Sequence, residues 1–225
     1  MTPSPALEGI LATLGAESDA DARRAMGEKY GIHADASYGV PMRRLLEIAS
    51  ATGRDHGLAL DLWAHGAYET RTLAAMVADP AQVSRGLMQR WCEDFDSWAI
   101  VDTVCFRLFD RTPHAWPMVE RWVEDDRLFV RRAGFALIWA LALHDTSAPD
   151  DHFRRALSHA RTHADDPRPL VAKSITMALR AIATRRPEVR AEVVALALEL
   201  TQDSDPATRR VGRPILRSFA PDDPR

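Results

Sequence analysis

From residue 58 to residue 219 the chain repeats one motif, two segments of helical hydrophobic period separated by Pro, Gly or Asp turns. The segments pair as 58–65 with 70–78, 83–92 with 97–109, 116–123 with 129–144, 151–163 with 170–184, and 189–200 with 207–219. No stretch shows the sustained alternation of a strand, so an all-α fold is expected. The second segment of each pair opens on a similar short run. These runs are Glu69-Thr70-Arg71-Thr72, Ala99-Ile100-Val101-Asp102, Phe129-Val130-Arg131-Arg132, Leu170-Val171-Ala172-Lys173 and Ala207-Thr208-Arg209-Arg210. Their intervals, thirty to about forty residues, are those of helix-pair solenoids.

The expected architecture is a right-handed α-solenoid of HEAT-like helix pairs with a concave groove. Asp125-Asp126 ahead of Arg131, and Asp205 ahead of Arg209, resemble the Asp/Arg ladder that ties such repeats together, which assigns both arginines to structure. Upstream, 7–16 and 19–30 read as short helices. Residues 31–40 lack a helical period, contain Gly31 and Gly39, and read as a loop. Pro41 suits the first turn of the next helix. One repeat domain over 1–225 is expected, with N-terminal helices and loop in 1–38 and repeats in 39–220.

Composition narrows the function classes. A chain of 225 residues can bury a sizeable core. No apolar run approaches the roughly 18–20 residues of a spanning helix, and the opening Met1-Thr2-Pro3-Ser4-Pro5 lacks a secretion signature, so a cytoplasmic protein without a membrane partner is expected. The two cysteines, Cys92 and Cys105, read as reduced and half-buried. Neither has histidines at zinc spacing, and no metal or cofactor is expected. The net charge of −3 excludes a protein that coats nucleic acid over its whole surface but leaves room for a local basic groove. Lys29 and Lys173 are the only lysines. The arginine bias suits phosphate contacts, and equally a GC-rich coding sequence.

One position of the repeat carries the chemistry. Across the registered segments it is Thr72, Asp102, Arg132, Lys173 and Arg210, a cationic row holding a single carboxylate. Arg132, Lys173 and Arg210, with Arg43 and Arg44 toward the other end, would grip a phosphate backbone independently of sequence. The bland alternative is a solvated basic face. Trp98 lies four residues before Asp102, so ring and acid share a helix face, on the shoulder of the stripe Val101, Val104 and Leu108. An acid among DNA phosphates costs binding energy unless it meets positive charge. A sugar losing its base supplies that charge as an oxocarbenium ion, which a carboxylate stabilises while it orients or deprotonates water. Trp98 would offer its π-face to the sugar or to a cationic base. The alternative is an Asp102–Arg132 salt bridge with Trp98 in the core.

The run Gly39-Val40-Pro41-Met42-Arg43-Arg44, then Leu62-Trp63-Ala64-His65-Gly66-Ala67-Tyr68-Glu69-Thr70-Arg71, then Trp98 and Asp102, then Phe129-Val130-Arg131-Arg132-Ala133-Gly134-Phe135, resembles the AlkD-like DNA alkylation repair glycosylases. Val171-Ala172-Lys173 and Ala178-Leu179-Arg180 continue the resemblance, which covers 39–187 well and the last pair weakly. It implies HEAT-like repeats and excision of cationic N3- or N7-alkylated purines from duplex DNA, with contacts to deoxyribose and backbone rather than a flipped base. It also implies a monomer that needs no metal, because a cationic leaving group departs easily. Asp102 and Trp98 match the family's catalytic pair, and Arg132 its phosphate-binding arginine.

The chain also departs from the pattern. Met177 stands where the family typically carries a tryptophan before Ala-Leu-Arg, and methionine lacks the extended π-face. Ala99 and Ile100 replace more polar residues. Tyr30 and Tyr38 are both candidates for the family's N-terminal aromatic. These departures leave open a catalytically weakened or inactive HEAT-like module that binds DNA or a protein partner. Trp63, Trp91, Trp116 and Trp122 read as packing. Trp139, seven residues after Arg132, is a candidate site wall with Met177. His152, His159 and His163 have no acidic partner within their own helix and read as solvated surface.

Overall fold

A computed structural model of the chain describes residues 4–32 and 36–219. Met1-Thr2-Pro3 of the N-terminal reading, residues 33–35 of the expected loop, and residue 220 of the repeat segment lie outside the described residues. Among those described, the regular structure is helical throughout. In chain order the α-helices are α1 (Pro5–Ala16), α2 (Ala20–Tyr30), α3 (Met42–Thr52), α4 (His56–His65), α5 (Tyr68–Val77), α6 (Arg85–Glu93) and α7 (Trp98–Arg107). They continue as α8 (Ala115–Trp122), α9 (Leu128–His144), α10 (Asp150–Thr162), α11 (Pro169–Arg185), α12 (Pro187–Gln202) and α13 (Pro206–Phe219). All five expected pairs are present, with ends shifted by a few residues.

The boundaries follow from local chemistry. Ser4, Asp19, Asp55, Ser84 and Ser97 each accept a backbone N–H of the first turn they precede, which satisfies donors the helix itself cannot. Pro41 stands one position earlier than expected, as the extended residue capping α3. Gly31 and Gly66 end α2 and α4 in the left-handed conformation that glycine adopts without strain.

The chain divides into two compact units, the first ending at Pro113 and the second beginning at His114. In the first, α5 packs on α3, α4 and α7. Its aromatic centre is Trp63 stacked on Trp91 at 4.1 Å, with Phe95 and Phe109 against them. In the second, α9 packs on α11 and α11 on α13, while α8, α10 and α12 cover the other side of that row. Trp122, Phe135 and Phe153 are fully buried there. Cys92 and Cys105 form no disulfide and are fully buried rather than half-buried.

The Asp/Arg ladder holds at Arg131, which reaches Asp126 at 2.9 Å and Asp166 at 2.8 Å and donates to the Val123 carbonyl. Arg71 makes the registered contact in the first unit, to Asp96 at 2.8 Å. Arg209 departs from the expectation. It donates to the carbonyls of Asp203 and Ser204, while Asp205 accepts from the Ala207 N–H and the Thr208 hydroxyl at the start of α13. The histidines of α10 are also corrected. His159 pairs with Glu120 at 2.8 Å and Glu124 at 3.2 Å, and buried His163 reaches Glu124 at 3.2 Å, so the acids come from α8 and the segment after it. No described helix is long and apolar enough to cross a membrane.

Candidate functional site

Three contacts place the start of α7. Ser97 caps it by accepting the Ile100 N–H, Asp96 is tied to Arg71, and the Trp98 indole N–H donates to the Tyr30 carbonyl at 3.1 Å. Trp98 is therefore the first residue of the helix, fixed from two sides. One turn on, Asp102 shares its face. Ile100, Val101, Val104 and Cys105 are sealed, whereas Trp98 and Asp102 remain half-buried and reach solvent. The shoulder position expected from periodicity is where the pair stands, and Trp98 is not core.

The Tyr30 contact bears on the two aromatic candidates. Tyr38 stacks on His65 at a centroid distance of 6.3 Å and an interplanar angle of 24°. Tyr30 ends α2 with its carbonyl against Trp98, and the residue is 62% exposed. Tyr30 is thus the better placed of the two.

What holds this neighbourhood is a residue whose role the sequence did not disclose. Glu69 is completely buried, and its carboxylate accepts from the N–H groups of Tyr38, Gly39 and Val40 and from the Ser37 hydroxyl, at 2.7–3.2 Å. Charge-assisted bonds of this kind are the strong ones. They clamp the connection between α2 and α3 onto α5. Gly39 is required there on two counts: its φ is +80°, and a Cβ would stand 2.2 Å from the Asp19 carbonyl oxygen.

The cationic row is not uniform. Thr72 and Arg132 are fully buried, and Asp102 is half-buried. Lys173 and Arg210 are exposed. Arg132 is the principal correction. Its exposure is 0%, and one Nη donates to the Leu170 carbonyl at 2.6 Å. The side chain is thus enclosed rather than on an open surface, and this bond ties α9 to the first turn of α11. Arg43 is exposed and reaches Glu47. Arg44 is already engaged by two acids, Glu17 through three hydrogen bonds of 2.8–3.0 Å and Glu47 at 3.2 Å. These carboxylates raise the Arg44 pKa above its ordinary value, and Arg44 in turn holds Glu17 below the usual carboxylate range.

In the second unit the structure brings together three predicted residues. Trp139 and Leu143 of α9 face Lys173, Thr176, Met177, Arg180, Ala181, Thr184 and Arg185 of α11 across an open pocket of about 420 Å³. Lys173, Met177, Arg180 and Thr184 recur at helical spacing, so one face of α11 supplies them. Trp139, singled out by its spacing, and Met177, singled out by the resemblance, both line this pocket. The contribution of Arg180 and Arg185 was not read, although their spacing from Lys173 was a usable signal.

Just ahead of α11, Asp166 ties its own segment to α9. Its side chain is 2% exposed, and it accepts from Arg131 at 2.8 Å and from Arg168 at 2.5 and 2.8 Å. Burial alone would raise its pKa, but the hydrogen bonds from Arg168 and Arg131 win and hold the carboxyl far below the usual range.

Comparison with known proteins bears on the fold and the family. No protein of curated function matches the chain in sequence. A solved structure described as "a new family of proteins related to the HEAT-like repeat DNA glycosylases with affinity for branched DNA structures" superposes with a TM-score of 0.78, over 94% of each chain, at 17% identity. That likeness is one of fold, and the fold here is all-helical and HEAT-like. The sequence model of a family described as DNA alkylation repair enzyme matches residues 10–210. The chain therefore belongs to the DNA alkylation repair enzyme family.

Proposed function

We propose that the protein is a monomeric DNA glycosylase that removes positively charged N3- and N7-alkylated purines from duplex DNA. The observation that carries this reading is the pair Trp98 and Asp102, left half-buried on one face of a helix whose Ala99, Ile100, Val101, Val104 and Cys105 are sealed. In the reaction the bond from C1′ to the purine nitrogen breaks, and its electron pair leaves with the purine, which becomes neutral. The sugar is left as an oxocarbenium ion. The Asp102 carboxylate stabilises that charge and takes a proton from the water whose oxygen bonds to C1′. Trp98, its N–H held by Tyr30, presents its ring to the sugar and to the departing cation. The products are free alkylpurine and an abasic site. Lys173, Arg210 and Arg43 take backbone phosphates, with Arg44 contributing once Glu17 and Glu47 yield it.

A second reading has its own support. Met177 in place of a tryptophan, the enclosed Arg132, and the branched-DNA affinity stated for the similar structure favour a DNA-binding module without excision. Incubation of the protein with methylated duplex, and with duplex carrying the neutral lesions uracil or hypoxanthine, separates the two. Release of free 7-methylguanine or 3-methyladenine but of neither neutral base is the expected result. No release, with DNA binding intact, would leave the binding module.

A further inference from the structure

The pocket between α9 and α11 has a composition that ordinary surface does not. Its nine lining residues include three cations, Lys173, Arg180 and Arg185, and no carboxylate, in a chain whose acids outnumber its lysines and arginines 32 to 29. Several arginines elsewhere, Arg44, Arg131, Arg154, Arg161 and Arg168 among them, lie in ion pairs. Arg180 instead donates to a neutral partner, the Ser218 hydroxyl, at 3.0 Å. Beside these cations the lining is largely apolar. The half-buried Trp139 indole and Leu143 stand on one side, and Met177 and Ala181 on the other. An aromatic side chain in a pocket lined with positive charge fits a flat apolar ring that carries phosphates. About 420 Å³ lies within the range of pockets that enclose a ligand of nucleotide size. A paired base inside a duplex cannot present its face to an indole, whereas an unpaired one can.

We infer that this pocket binds an unpaired nucleotide of DNA, its base stacked on Trp139 and its flanking phosphates on Lys173, Arg180 and Arg185. The inference rests on DNA being the partner, and it adds a second place of contact to the Trp98/Asp102 pair. A base held there leaves the stack without entering any chemistry, so the pocket selects the form of the DNA.

The test compares full-length protein on two labelled oligonucleotides, a perfect duplex and the same duplex with a single-nucleotide bulge, by anisotropy across a salt series. The bulged duplex is expected to bind about tenfold more tightly, the scale of one base–aromatic stack. Trp139→Ala should abolish that preference, and Trp139→Phe should restore most of it, which separates stacking from damage to the fold. The double change Arg180→Gln with Arg185→Gln should lower the salt slope on the bulged duplex by about two. Equal affinity for the two DNAs, or equal loss on both in Trp139→Ala with no rescue by Phe, would overturn the inference. Binding to neither DNA would overturn it together with the DNA reading itself. Base release from perfect methylated duplex without any bulge preference would remove this pocket alone.

Discussion

Asp166 and Glu69 are buried carboxylates with opposite solutions to the same problem. A buried charge is tolerated only when paired or fully hydrogen-bonded. Asp166 is paired with Arg131 and Arg168, and Glu69 is bonded by backbone N–H groups and a hydroxyl. For Asp166 the folded-state pKa is depressed, so its contribution is present above the ordinary carboxylate pKa of about 3.9 and is lost as pH falls below it. Asp166→Asn should therefore cost about 3 kcal/mol at pH 7 and flatten the acid limb of stability below about pH 4. Urea denaturation at several pH values checks both parts, and an unchanged acid limb would contradict the assignment. Glu69→Gln should cost about 2 kcal/mol, because an amide cannot accept as strongly from three backbone donors. Its diagnostic is faster amide exchange at Tyr38, Gly39 and Val40 relative to the rest of the first unit. Neither residue stood out in the sequence. A Glu in a first helical turn and an Asp before a proline are ordinary; the backbone donors of Glu69 lie about thirty residues away, and of the two partners of Asp166 only Arg168 is local.

The helices themselves were legible because their signals are local. Capping residues, left-handed glycines and helical hydrophobic period all act within a few positions, and all five expected pairs formed. Contacts between elements were read only where the repeat echoed them. The ladder at Arg131 was found from the Asp pair before it, while the registered Arg71–Asp96 contact was passed over, although an acid precedes α7, α9, α11 and α13 alike. A further registered feature is steric. Gly134 lies three residues after Arg131 and Gly212 three after Arg209, and each marks a close crossing of the two helices of its pair. A Cβ at 134 would stand 2.7 Å from the Val123 nitrogen, and one at 212 would stand 2.7 Å from the Ala197 carbonyl oxygen. Alanine favours an open helix by about 1 kcal/mol, but backbone atoms cannot step aside here. Gly134→Ala and Gly212→Ala should each destabilise by about 1–3 kcal/mol in thermal or urea unfolding. A gain in stability at either would show that the crossing is looser than described.

For the whole molecule, the part of the site on one helix was readable and the part spread over several was not. Trp98 and Asp102 share α7, and their half-buried state follows from its period. Arg132 was read as an open cation because its register matched Lys173 and Arg210, yet burial is decided by neighbouring helices, which register does not report. DNA binding should divide along the same line. Lys173→Gln and Arg210→Gln should each lower the salt slope of duplex binding by about one, whereas Arg132→Gln should act through stability, at about 3 kcal/mol, and leave the slope of the folded protein unchanged. In the proposed reaction, catalysis rests on the carboxylate of Asp102. The direct test is the single-turnover rate of 7-methylguanine release from methylated duplex, with protein in excess, for the natural chain and for Asp102→Asn, alongside the Kd of each for the same DNA. The rate should fall by about 10²-fold while Kd stays within about twofold, since the charge is used in the transition state rather than in binding. An Asp102→Asn protein that released base as fast as the natural chain would contradict the account.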